Sequence, residues 1–218
     1  MTSLPGKFFF TAGLMLAVNL CQPPDALAGA YEDLRWAAED NNITDMRKLL
    51  VAGADPNTID AQGNTLLMVA VRNKNAELVD LLIKAGAKLN SRNKYGETAI
   101  MLASYNGLGN IVEKLYVKGA EINHKGWNPL LYAAIAGHAK IVQLLLEGGA
   151  TANSISDNGS TPLMLAARGN HLDTANVLLK NGADPNIRNE LGKTALDWAL
   201  SKDYQEMAEV LKAGGAAK

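Results

Sequence analysis

The apolar positions of this chain come in short clusters separated by polar turns, and the stretch from Asp157 to Asn186 shows the pattern most clearly: DNGSTPLMLAARGNHLDTANVLLKNGADPN. Asn158-Gly159 is a tight-turn dipeptide, because glycine accepts positive φ without steric cost. Thr161 before Pro162 suits a helix start, since the hydroxyl can cap free N–H groups and proline tolerates the first helical position. Leu163, Leu165, Ala166 and Ala167 then predict a short helix, apolar on one side, that Gly169-Asn170 breaks. Ala175, Leu178 and Leu179 predict a second helix over about Leu172–Lys180, with Gly182 placed for a left-handed C-terminal cap. Two helices this short cannot bury their apolar faces alone, so such a unit is expected to stack on copies of itself.

The copies are present. Gly-Ala pairs end the second helix at Gly53-Ala54, Gly86-Ala87, Gly119-Ala120, Gly149-Ala150, Gly182-Ala183 and Gly215-Ala216, spaced 33, 33, 30, 33 and 33 residues apart. Asn57, Asn90, Asn123, Asn153 and Asn186 each fall four residues after such a glycine, a second marker in phase with the first. A period of 33 with TPL, paired alanines and LLxxGA resembles the ankyrin repeat, whose pattern is TPLHxA in a turn plus two helices. The resemblance covers about residues 31–216 and implies an all-α solenoid of about six helix-turn-helix units carrying short β-hairpin fingers. The units run over residues 31–57 as an N-terminal cap, then 58–90, 91–123, 124–153, 154–186, and 187–216 as a C-terminal cap. In the first, Asp45 stands where later units have Leu78, Ile111 and Ile141, and Lys48 where they have Leu81 and Leu144; Lys212 takes an expected leucine position in the last, as solvent-facing ends require. Residues from Gly214 onward are expected to fray. In the unit 124–153 three residues are missing from the turn, so the row of fingers should carry a notch there.

The first 28 residues belong to another class. Lys7 precedes an uncharged, mostly apolar run from Phe8 to Leu20, Pro23-Pro24 interrupts it, and Ala26-Leu27-Ala28 has the small-x-small form of a signal-peptidase site. A run of 13 residues is short of the roughly 20 needed to cross a bilayer, so it reads as a secretory signal cleaved after Ala28. The expected mature domain is 29–218, exported and periplasmic, with no membrane insertion after removal of the signal. Cys21, the single cysteine, follows Leu20, which is not the small residue a lipidation site requires, and its loss leaves no thiol for a disulfide. The formal charge of −1 and the lack of a basic stripe argue against a nucleic-acid partner.

Candidate chemistry is sparse. His138 and His171 lie in the loops between paired helices, where a structural hydrogen bond is the natural role; His124 sits in the shortened turn, with no second ligand at metal spacing. No P-loop, nucleotide-binding glycine fingerprint or GxSxG elbow occurs, and no catalytic, metal or cofactor site is assigned. The chain is read as a non-enzymatic monomer that binds a protein. The ankyrin resemblance implies binding through the concave face, made by the finger tips and the free side of the first helices. Carried onto this sequence, its variable positions give Arg72, Tyr95, Tyr105, Asn106, Trp127, Ile135 and Arg168 as partner-binding residues. Tyr95, Tyr105, Trp127 and Ile135 are expected to cluster at the notch, with Trp127 either meeting a partner or plugging the gap. Trp36, Tyr132 and Trp198 align with Val69, Leu102 and Leu165 and are read as core. Similarity to exported bacterial repeat proteins suggests an accessory factor of a periplasmic enzyme such as a catalase. The alternatives are an inhibitor or immunity protein against a secreted toxic enzyme, or an exported effector acting on a foreign protein.

Overall fold

A computed structural model describes residues 24–217; the predicted signal lies outside the described residues except for its last five, Pro24 to Ala28, which begin the first helix. Among the described residues are twelve helices: α1 (Pro24–Glu39), α2 (Ile43–Val51), α3 (Leu66–Arg72), α4 (Ala76–Lys84), α5 (Ala99–Tyr105), α6 (Gly109–Val117), α7 (Pro129–Ile135), α8 (Ala139–Glu147), α9 (Pro162–Arg168), α10 (Leu172–Lys180), α11 (Ala195–Ser201) and α12 (Gln205–Ala213). Local chemistry sets the starts. Thr65, Asn128, Thr161 and Thr194 hold extended backbone before α3, α7, α9 and α11, and each side chain accepts an N–H from the first turn. Pro129 and Pro162 occupy the first helical position, where the missing N–H costs nothing.

The helices form two layers. Odd-numbered helices pack on odd-numbered neighbours and even on even, with each pair also packing internally. Ala70, Ala103, Ala133, Ala166 and Ala199 are completely buried and let the odd-numbered layer close tightly, while Leu82, Leu115, Leu145, Leu178 and Leu211 are completely buried in the even-numbered layer. At the ends the pattern turns polar: Asp45 pairs with Lys48 at 2.8 Å, and Lys212 is exposed.

The repeated asparagines explain why the register is so regular. Asn57, Asn90, Asn123, Asn153 and Asn186 accept the backbone N–H of Lys88, Glu121, Thr151, Asp184 and Ala217 at 2.8–3.0 Å, each one unit ahead. From Asn123 onward the same amide also donates to Gly149, Gly182 or Gly215 carbonyls. One side chain thus ties each outer turn to the next. The last of these bonds holds Ala217, within the stretch expected to fray.

The fingers are tight turns rather than strands. Among the described residues the one antiparallel bridge pairs Ile59 with Thr65. Asp60 Oδ1 accepts the N–H groups of Gln62 and Asn64, and Asn93 and Asn189 do the same for their own turns. These side chains take up N–H groups that a hairpin ladder would use. Adjacent fingers are linked by Lys94 N–H to the Gln62 carbonyl and by Glu190 N–H to the Asn158 carbonyl, bonds that lie on either side of the shortened turn.

Trp36 corrects a sequence expectation. It is 55% exposed, because no described residue stacks outside α1, and it borders an open hollow of about 410 Å³ between α1 and α2. The Arg35 guanidinium lies 5.9 Å over its ring.

One loop position makes a testable case. Asn41, Lys74, Asn170 and Asp203 carry φ of 55–58° between paired helices, and Gly107 and Gly137 occupy the equivalent places in the other two units. Four non-glycine residues tolerate this backbone, so the glycines answer to a neighbour: a Cβ on Gly107 would lie 2.7 Å from His138 Cε1. Gly107→Ala is expected to lower stability by about 2 kcal/mol, from left-handed strain and the displaced ring. In a His138→Ala background the same substitution should cost less by roughly 1 kcal/mol, as urea denaturation of the four-variant cycle will read.

Candidate functional site

The shortened turn builds the most distinctive surface on the face of the odd-numbered helices. Gly126 keeps the positive φ of the other finger glycines, 77° against 78° at Gly63 and 76° at Gly96, so the missing residues precede it. Trp127 therefore stands directly before the helix cap Asn128, in the place that Asn64, Glu97 and Ser160 hold elsewhere. With no full finger beside it, the indole reaches the first turns of α7 and meets Tyr132 edge to face, ring centroids 5.5 Å apart at 79°. Tyr105, the last residue of α5, meets the same Tyr132 ring at 6.1 Å and 78°.

These rings border a cleft of about 280 Å³ completed by Leu102, Ile135 and Glu97. The Tyr132 hydroxyl donates to Glu97 Oε1 at 3.1 Å, and Asn93 Nδ2 donates to Glu97 Oε2 at 2.9 Å. Burial, followed by the Glu97 charge, raises the Tyr132 phenol above its ordinary value, so the hydroxyl remains a donor. Two histidines hold the rim. His138 Nε2 lies 2.9 Å from the Tyr105 carbonyl and His171 Nε2 lies 3.1 Å from the Ile135 carbonyl, so both rings serve the structural role read from sequence and fix the helix ends that carry the rim residues.

Tyr105, Trp127 and Ile135 are thus brought together as expected, and Tyr105 is 52% exposed. Tyr95 is not among the residues lining the cleft; it is 74% exposed on its finger, where its N–H is bound by Asn93. Asn106 turns its amide back to the Leu102 carbonyl at 2.8 Å and caps α5. Arg72 and Arg168 end α3 and α9, on the flanking units, and both are exposed. The Arg168 guanidinium lies 5.8 Å over Trp198, which is half-buried rather than core.

Tyr132 is the residue that alignment misplaced. Its equivalents Val69, Leu102 and Leu165 are covered, but the absent finger uncovers its ring, which becomes the centre of the cleft. The available signal was a large aromatic with a polar tip where the adjoining units have Leu102 and Leu165, five residues after the deletion's tryptophan.

His124 lies apart, in a hollow it shares with Thr151 and Ser154. Burial and then the Arg92 charge hold its imidazole below the ordinary value, against the Lys125 carbonyl and Glu121. Among the described residues no group of three or more His, Cys, Asp or Glu side chains is placed to hold a metal ion, and no helix is long and apolar enough to cross a membrane.

Among protein-family models, one described as ankyrin repeats (3 copies) matches residues 34–125 and again 100–189. No curated protein matches the chain.

Proposed function

The chain belongs to the ankyrin-repeat family, and from that premise we propose that it is an exported, non-enzymatic binding protein whose partner docks on the face of the odd-numbered helices, centred on the aromatic cleft at the notch. The observation that carries this reading is the cleft itself. Three aromatic rings, one of them half exposed, line a solvent-open hollow that the regular repeat would not create. Tyrosine and tryptophan are the side chains most often found as binding hot spots, because each offers a large rigid surface with a polar tip.

Export rests on the sequence alone: a charged start, an apolar run and the Ala26-Leu27-Ala28 site. A periplasmic enzyme such as a catalase, served as an accessory factor, is the first partner to look for. Enzyme inhibition or action on a foreign protein would use the same face and differ in effect on the partner's activity.

The test is an affinity capture from the native cells, with the full chain tagged beyond Lys218, beside a Tyr105→Ala variant. Tyr105 is a rim residue outside the buried core, so the variant is expected to keep its circular dichroism and to lose only about 1 kcal/mol of stability with its edge-to-face contact on Tyr132. It is expected to lose the captured protein, with affinity weakened roughly 10- to 30-fold. Equal capture by both forms would move the binding surface away from the cleft. Sequencing the N-terminus of the recovered chain checks export separately: Gly29 is the expected first residue, and Met1 would overturn it.

A further inference from the structure

We propose that the cleft at the notch is a socket for one basic side chain of the partner, an arginine by preference; this rests on the binding reading above and names the chemistry of its anchor. Among the described residues Glu97 is the one charged residue lining the cleft, and no Lys, Arg or His forms a salt bridge with it. Its two hydrogen bonds come from neutral donors, the Tyr132 hydroxyl and the Asn93 amide, so its negative charge is solvated by dipoles but not neutralised. Each carboxylate oxygen keeps a lone pair for a further donor.

Around that charge stand Tyr105, Tyr132 and Trp127. Ring faces carry the negative lobe of the aromatic quadrupole and attract a cation placed over them, tryptophan most strongly. A carboxylate beside aromatic rings therefore favours a positive charge twice over, wherever a ring offers it a face. The guanidinium suits the place better than an ammonium, because it is flat, more weakly hydrated and able to stack on a ring while its N–H fork reaches a carboxylate. The size agrees. At about 280 Å³ the cleft falls just below the ~300–1,000 Å³ typical of small-molecule pockets, and it suits a single inserted side chain.

Among the described residues no cation lines it. Arg92 Nη1 donates to the Gly96 carbonyl, Lys125 lines the hollows on the finger side, and Arg168 lies over Trp198. Arg72 and Arg168 mark the flanking units, so the partner's basic residue should be an isolated one and not part of a basic run. The same two arginines would meet acidic residues on either side of it.

The experiment uses the folded protein labelled with ¹⁵N in its three tryptophan indoles, with the Trp127 resonance assigned by its absence in Trp127→Phe. N-acetyl-arginine amide is titrated into it beside the lysine, citrulline and leucine analogues. Citrulline has the same shape as arginine without the charge. The expected result is a saturable shift of the Trp127 indole with arginine amide in the millimolar range, at least ~10-fold weaker with citrulline. Glu97→Gln keeps a side chain able to bond Asn93 and Tyr132, and it should abolish the difference between arginine and citrulline. A Tyr105→Ala variant, weakened without change to the carboxylate, serves as a second check should Glu97→Gln melt early. Lysine binding as strongly as arginine would overturn the guanidinium assignment; citrulline or leucine doing so, or no saturable shift, would overturn the cation. A partner whose capture depends on Tyr105, together with no arginine effect, would remove this proposal and leave the binding reading intact.

Discussion

Leu145→Ala is expected to cost about 3–4 kcal/mol of stability, near the upper part of the range for a buried leucine truncated to alanine. Leu145 is completely buried in α8, in a row with Leu82, Leu115, Leu178 and Leu211 that are equally inaccessible. The helix is held between α6 and α10 and packs on α7, so the space left by the lost side chain has neighbours on all sides that other contacts keep in place. A hole in such a setting collapses little, and its cost is the transfer energy plus the unfilled volume. The counterpart at the end of the row tests the reason. Leu49 is only partly buried, because among the described residues no further unit covers α2, and Leu49→Ala should cost about 1–2 kcal/mol. Urea denaturation of the two variants reads both. In a stack whose units touch only near neighbours, a defect in the middle should also broaden the transition, which one at the end should not. Equal costs at Leu145 and Leu49 would mean that burial in the row does not govern stability.

The periodic part of this architecture was legible because stacking repeats one solution. Pro162 and Thr161 marked the start of α9, and the limits of α10 fell at Leu172 and Lys180 as the spacing required. The polar residues Asp45, Lys48 and Lys212 marked the ends. The asparagine marker was visible as a register without its reason, since a bond from Asn153 to Asp184 N–H joins residues 31 apart and depends on how two units sit together. Alignment failed where a unit lacks its usual neighbour. Trp36 and Tyr132 occupy the row of the buried Val69, Leu102 and Leu165, yet one lies at the end of the described stack and the other beside the shortened finger. A sequence row predicts the direction of a side chain; what covers it is a property of the adjoining unit. The fingers keep little of a hairpin ladder, one bridge among the described residues, because Asp60, Asn93 and Asn189 close their own turns with side-chain bonds.

Trp127→Ala separates the two roles open to that residue, and the expected outcome is a large loss of partner affinity with a modest loss of stability. A tryptophan that filled the space of the missing finger as a core plug would cost about 3–5 kcal/mol on truncation. Trp127 is only partly buried, however: it packs on Tyr132, and it also lines the open cleft. Truncation removes the edge-to-face contact, of order 0.5–1.5 kcal/mol, and part of the ring's burial, so about 1–2 kcal/mol is expected in urea denaturation. Asn128 and Pro129 still start α7, with Asn128 capping the Leu131 N–H at 3.1 Å, so the helix does not depend on the indole. Binding depends on it more heavily. Without the indole the cleft loses one wall and Tyr132 loses one of the two rings packed on it, which should weaken the captured partner by at least ~2 kcal/mol, roughly 30-fold. Titrating that partner against wild type and variant, with the folded fraction fixed by the denaturation curve, measures both effects on the same scale. A stability loss above about 3 kcal/mol with unchanged affinity per folded molecule would make Trp127 a plug, and the notch would then be a repaired defect in the stack with no part in recognition.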